Sequence, residues 1–173
     1  GTPAISDPGL ILINKCISEN LNVYPVPGPS AVTSAVSVSG FSDQYLFYGF
    51  LEKNKNEVEK TLKSLSNLDY TIVFFVPAIK ISFYILVFKK YFYDRNILVA
   101  KEMTKIHESL FRDKVLSFSS LSGKVKGELT VVLSKKFKEK NKKKNIDESV
   151  KIEIRKMLKK YTHKDVVEFI SKK

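Results

Sequence analysis

The stretch Gly1-Thr2-Pro3-Ala4-Ile5-Ser6-Asp7-Pro8-Gly9 opens the chain, and Pro25-Val26-Pro27-Gly28-Pro29-Ser30-Ala31 follows it one helix and one strand later. Each is a run of small residues and prolines that leads into an apolar-periodic segment. After the first, Asp7 stands where a helix cap belongs and Pro8 at the favoured first helical position, so the pattern predicts a helix over 8–20. Residues 22–26 read as a short strand. Ser30 is placed to cap the next helix, which carries Val32, Ala35, Val36 and Val38 and stops at Gly40, a good C-terminal residue. Two loops that both end at helix N-termini put two sets of unpaired N–H groups on one edge of a sheet. In open α/β sheets that edge is where ligands bind.

Beyond Gly40 the chain alternates. Strands are predicted at 45–50, 70–76, 96–103 and 127–134, with a further strand or hairpin at 109–118. Helices are predicted at 56–66, with Val58, Leu62 and Leu65 on one face, and at 78–93. The fold class is therefore α/β with a sheet made mixed by the hairpin near its end. The apolar run 71–88 is long enough to raise a membrane span, but Pro77 divides it and Lys80 sits near its middle. Its first half is β-branched and aromatic, and its second half has helical spacing, so strand, turn and helix is the better reading.

The last block differs in kind. Residues 135–145 are a lysine-rich run with almost no apolar content, which reads as a solvated linker or as a nucleic-acid contact through Lys142, Lys143 and Lys144. Ile152, Ile154, Met157 and Leu158 support a short helix after it, and Thr162 is placed to cap another.

The chain has 173 residues, 43% of them hydrophobic, which is enough for a packed core and unlike a disordered segment. A formal charge of +12 points to a polyanionic partner, nucleic acid ahead of a membrane surface. The abundance of Lys, Asn, Ile and Phe also fits an AT-biased genome. One cysteine, Cys16, cannot form an internal disulfide, which fits a reducing, cytoplasmic setting; the apolar pattern around it predicts that it faces a core. His107 and His163 lack companion ligands at metal spacing, so no metal site is expected.

Four segments fall in one order: the opening stretch, Pro25 to Ala31, Glu102-Met103-Thr104-Lys105 with Glu108, and Lys126-Gly127-Glu128. In that order and spacing the chain resembles the tetrapyrrole-methylase superfamily, and within it the branch that methylates ribosomal RNA on ribose. The resemblance covers nearly the whole chain. It implies a two-domain tetrapyrrole-methylase-like architecture that binds S-adenosyl-L-methionine between domains, usually as a homodimer. On this chain it implies a remnant of the first domain at 1–40, a second α/β domain at 41–134, the linker at 135–145 and a helical tail at 146–173.

The implied cofactor contacts are Gly1, Thr2, Pro3, Ile5, Ser30, Ala31, Gly127 and Glu128, with Gly1 and Gly28 permitting close backbone approach. The implied activity is 2′-O-methylation of a cytidine in 16S rRNA of the small ribosomal subunit. Glu102 and Glu108 are candidate bases by residue type, and Lys105 could orient a phosphate or stabilise developing oxyanion charge. Lys80 stands where the family has the Arg of a Glu-Ser-Pro-His-Arg run, and keeps the charge without the planar fork; Lys101 likewise stands where Arg is common. The family's first strand and its Thr-Pro-Ile-Gly-Asn-type loop have no counterpart here, so the expectation is an N-terminally truncated chain that binds the cofactor weakly or not at all and is inactive by itself. The alternatives are a methyltransferase of corrinoid or porphyrin precursors and a non-catalytic RNA-binding fragment.

Overall fold

The computed structural model describes residues 2–119, 121, 127–137, 148–163, 165 and 166. Two compact units divide at the start of the basic run, 1–136 and 137–173. In the first, the elements are α1 (Leu10–Ser18), α2 (Ala31–Ser39), β1 (Tyr45–Phe50), α3 (Lys55–Leu65), β2 (Thr71–Pro77), a single 3-10 turn (Ala78–Lys80), α4 (Ile81–Tyr91), β3 (Asn96–Lys101), β4 (Ser109–Lys114) and β5 (Glu128–Leu133).

The strands form one mixed sheet in the order β1-β2-β5-β3-β4. β1 and β2 run parallel, with α3 as their crossover. β5 enters antiparallel between β2 and β3, and β4 closes the far edge antiparallel to β3. β2, β3 and β5 are consequently apolar on both faces. Ile72, Phe74, Val76, Ile97, Val99, Leu129, Val131 and Leu133 pack against α3 and α4. The alternate residues Val73, Leu98, Ala100 and Val132 pack against Val32 and Ala35 of α2. The period of two along each strand thus distributes one hydrophobic sequence between two separate cores.

Most boundaries follow from local chemistry. Asn54 caps α3 by accepting the Asn56 N–H on its side chain, and Gly40 ends α2 in the left-handed conformation at φ 71°. Pro77 ends β2, and a 3-10 turn separates it from α4, which stops at Tyr91 rather than running to 93. β3 ends at Lys101 because Glu102 turns to φ 50°. β4 stops at Lys114, and Val115 and Phe118 of the expected 109–118 strand instead turn inward to join the larger core.

The N-terminal expectations fail in three places. Gly9, at φ 144°, is the N-cap of α1, displacing Asp7 and Pro8 into a loop where Ala4 and Ser6 also take positive φ. Residues 22–26 pair with no strand; Val23, Tyr24 and Val26 are exposed, and an extended segment without a ladder partner has nothing to hold it. Cys16 faces no core, because α1 buries none of its residues. Propensity alone shaped these readings, and tertiary burial did not follow.

A side chain that pattern reading passed over holds the opposite edge of the sheet together. Arg95 is fully buried at the start of β3. Its guanidinium donates to the carbonyls of Tyr70 (2.8 Å), Ser134 (3.1 Å), Ser66 (3.1 Å) and Leu68, and lies 5.0 Å over the Phe92 ring. It therefore ties the end of α3, the approach to β2 and the exit from β5 to one point. Burial pulls its pKa below the ordinary arginine value, while Asp94 and Asp69 push it back up.

The second unit contains α5 (Glu148–Met157). Past it, the Thr162 hydroxyl donates to the Asp165 carboxylate (2.7 Å), and the Thr162 N–H reaches the same oxygen at 3.3 Å, a reciprocal cap at the position expected for one. The basic residues Lys142, Lys143 and Lys144 lie outside the described residues. Among the described residues no helix is long and apolar enough to cross a membrane.

Replacing Arg95 by Ala leaves four carbonyls without their shared donor. Stability in urea should fall by about 3 kcal/mol or more, and Arg95→Lys, with a point charge in place of a fork, should recover only part of the loss.

Candidate functional site

The carboxyl ends of β1, β2 and β3 share one edge of the sheet with the amino end of β5. The register sets Phe75, Thr130 and Ala100 side by side across β2, β5 and β3. All three lie on the face that α2 covers. Two residues further towards the edge on that face come Glu128 on β5 and Glu102 just past β3. Ala31, the first residue of α2, meets this row, and with Met103 and Lys105 the set encloses a cavity of about 230 Å³. Ala31, Ala100 and Thr130 are small, which is why a hollow persists where larger side chains would have closed the core.

Four of the residues singled out by sequence therefore converge: Ala31, Glu102, Lys105 and Glu128. The turn that carries two of them is tightly pinned. Glu102 and Thr104 hold φ 50° and 65°. The Lys105 N–H donates to the Glu102 carbonyl (3.0 Å), and the Glu108 N–H to the Lys105 carbonyl (3.1 Å). The Lys105 ammonium pairs with the Glu102 carboxylate at 3.3 Å. Glu108 does not line the cavity; its carboxylate accepts the Thr104 N–H and so holds the turn closed. Glu102 and Glu128 are the two carboxylates that line the cavity.

Gly127 supports the same site from behind. It sits at φ 84°, and a Cβ there would approach the Glu102 Oε1 at 3.4 Å. Its carbonyl accepts the Ala78 N–H (2.9 Å), fastening the end of β2 to the start of β5. Leu129 turns to the opposite face and is buried there.

The first opening loop meets the second rather than the cavity. The Thr2 hydroxyl donates to the Pro29 carbonyl at 3.3 Å. Pro3 and Ile5 are not among the residues lining the cavity, and Ile5 is exposed. Gly1 lies outside the described residues. Ser30 is the N-cap of α2, but its side chain makes no bond to the first-turn N–H groups. A Cβ at Gly28 would meet nothing within 4 Å, so nothing in the chain itself demands glycine there. The demanding glycine is Gly49, which spacing did not reveal. It forms a bulge in β1 opposite β2 at φ 89°, and the Ser6 hydroxyl lies 3.1 Å from where its Cβ would be. Lys80 is exposed at the end of the 3-10 turn, on the same edge as the cavity. Among the described residues no cluster of potential metal ligands occurs.

The fold is shared with solved methyltransferases of cobalamin and porphyrin synthesis. The methyltransferase CobJ superimposes on 78% of this chain and 62% of its own with a TM-score of 0.59 at 15% identity. Uroporphyrin-III C-methyl transferase from Thermus thermophilus, solved complexed with S-adenyl homocysteine, covers the same shares with a TM-score of 0.51 at 11% identity. In sequence the chain resembles ribosomal RNA small subunit methyltransferase I. The protein of that name from Thermotoga maritima is 45% identical over 139 residues, covering 79% of this chain and 62% of the relative. The one from Mesomycoplasma conjunctivae is 32% identical over 156 residues, covering 88% and 64%. The chain thus spans about three fifths of the length of the curated relatives it matches. No family model matches it.

Gly49→Ala puts a side chain at positive φ and against Ser6. Stability should fall by about 1–2 kcal/mol, and hydrogen exchange in residues 2–9 should quicken while β3 and β5 keep their protection.

Proposed function

We propose that this chain belongs to an S-adenosyl-L-methionine-dependent methyltransferase that acts on a cytidine ribose 2′-hydroxyl in 16S rRNA, as a cytoplasmic homodimer. The observation that carries the reading is the convergence of Ala31, Glu102, Lys105 and Glu128 on one cavity from three separated segments. The names of the relatives and the bound ligand of one structural neighbour support it. The donor set fits the cofactor in kind. The free N–H groups at the start of α2 suit a carboxylate, the carboxylates of Glu102 and Glu128 suit a cation, and Ala31 and Ala100 leave room between them. A cavity of 230 Å³ is below the roughly 300–1,000 Å³ of small-molecule sites, so these residues hold one end of the ligand. In this reading the first loop, with Thr2, Pro3 and Ile5 beside Ser30, forms an outer wall, and Gly127 brings backbone close to it.

When bound, S-adenosylmethionine supplies an electrophilic methyl group on a sulfonium with a ready leaving group. Positioning and exclusion of water then contribute most of the acceleration. Glu102 is the residue that takes the hydroxyl proton on its carboxylate as the oxygen attacks, with Lys105, 3.3 Å from that carboxylate, stabilising the negative charge that develops on the attacking oxygen. Glu108 keeps both in place through Thr104. The pinned turn matters because a base offers little unless its oxygen is already aimed at the proton.

The test is transfer of labelled methyl groups to small ribosomal subunits by a full-length version at saturating cofactor, with the product mapped to a 2′-hydroxyl. Glu102→Gln should lower kcat by about 10²-fold with little change in KM. No incorporation into RNA, or incorporation into a tetrapyrrole, overturns the reading. The lysine-rich run is assigned to phosphate contacts. Neutralising Lys142, Lys143 and Lys144 together should reduce the salt slope of RNA affinity by about 2–3, and an unchanged slope removes that assignment.

A further inference from the structure

Two of the most exposed apolar side chains of the described residues stand at the same edge as the cavity. Ile106 is 97% exposed at the tip of the turn that carries Glu102 and Lys105. Ile79 is 90% exposed on the 3-10 turn after β2, directly after Ala78, whose N–H is fastened to Gly127. Each has a lysine beside it: Lys105 precedes Ile106, and Lys80 follows Ile79. Neither isoleucine is on a loose loop. Ile106 is held out by two residues at positive φ, two backbone hydrogen bonds, an ion pair and the Glu108 bond to Thr104. A tip so firmly fixed keeps its isoleucine in water, where an apolar side chain forgoes the gain of burial.

An apolar tip with a cation beside it matches one occupant in particular. Proteins that open stacked nucleic acid insert an isoleucine, leucine or similar wedge between bases, and neighbouring cations take the phosphates. A protein partner would equally cover an isoleucine, but the +12 charge favours a polyanion. A ribose hydroxyl must also be presented to a cavity that lies below the rim, which a stacked helix does not do.

We infer that Ile106 and Ile79 form a wedge-and-brace rim that unstacks the RNA beside the nucleotide whose ribose enters the cavity, with Lys80 on a flanking phosphate. This rests on the RNA methyltransferase reading above and names the residues that position its substrate. Ile106 and Ile79 are positioning residues: neither lines the cavity.

The experiment uses the chain with a 16S-derived RNA hairpin carrying 2-aminopurine next to the target cytidine, read by fluorescence for unstacking and by anisotropy for affinity. Binding should raise the fluorescence severalfold. Ile106→Ser and Ile79→Ser should each lose most of that rise and weaken binding by about tenfold, with the wild-type melting temperature retained because both side chains are already in water. Leu116→Ser is the control. Leu116 is also exposed but follows β4, whose end pairs with the start of β3 at the opposite edge, and its loss should change neither signal. If the chain binds the RNA without a fluorescence rise, or Ile106→Ser keeps both rise and affinity, the rim inference falls while the methyltransferase reading stands. If the wild-type chain neither binds RNA nor transfers methyl groups to it, the reading itself falls and takes the rim with it.

Discussion

The structure depends on β5 lying antiparallel between two strands that run the other way. Its insertion makes β2 and β3 neighbours of a common strand, so three consecutive strands in the sheet are buried on both faces. One end of β5 must then open at the carboxyl edge of β2 and β3. Glu128 and Thr130 reach the cavity for that reason alone, although they are separated from Glu102 by more than twenty residues of chain. The same insertion sets Thr130 between Phe75 and Ala100, and the small pair in that row preserves the hollow. Packing and site are one arrangement seen from two ends.

The sheet was largely legible in the residues. β2 and β3 carry continuous apolar runs, β5 one broken only by Thr130 and β1 one broken only by Gly49, and the glycine at 40 and proline at 77 mark ends that the backbone respects. The N-terminal segment was misread for a physical reason. Leu10, Ile11, Leu12 and Ile17 have helical spacing, and Val23, Tyr24 and Val26 have strand composition, but spacing reports which side would be buried and not whether anything covers it. In the described structure these side chains are exposed.

The site was legible in part, and the boundary is again physical. Ala31, Glu102, Lys105 and Glu128 could be named because their segments resemble a family in order and spacing. The role of Glu108 could not, because a carboxylate capping Thr104 and a carboxylate facing a ligand look alike in sequence. Gly49 and Arg95 were missed for the opposite cause: each matters through partners more than twenty residues away in the chain. Ser6 meets Gly49, and four carbonyls from three segments meet Arg95.

Arg95 also sets how the fold meets acid and alkali. Its hydrogen-bond partners are all main-chain carbonyls, which do not titrate, and an arginine keeps its charge across the range in which proteins fold. The junction of α3, β2, β3 and β5 therefore has no protonation state to lose. Loss of structure on acidification therefore has to begin elsewhere, at contacts such as Glu59 with Lys90 between α3 and α4, where the ammonium holds the carboxyl below its ordinary value.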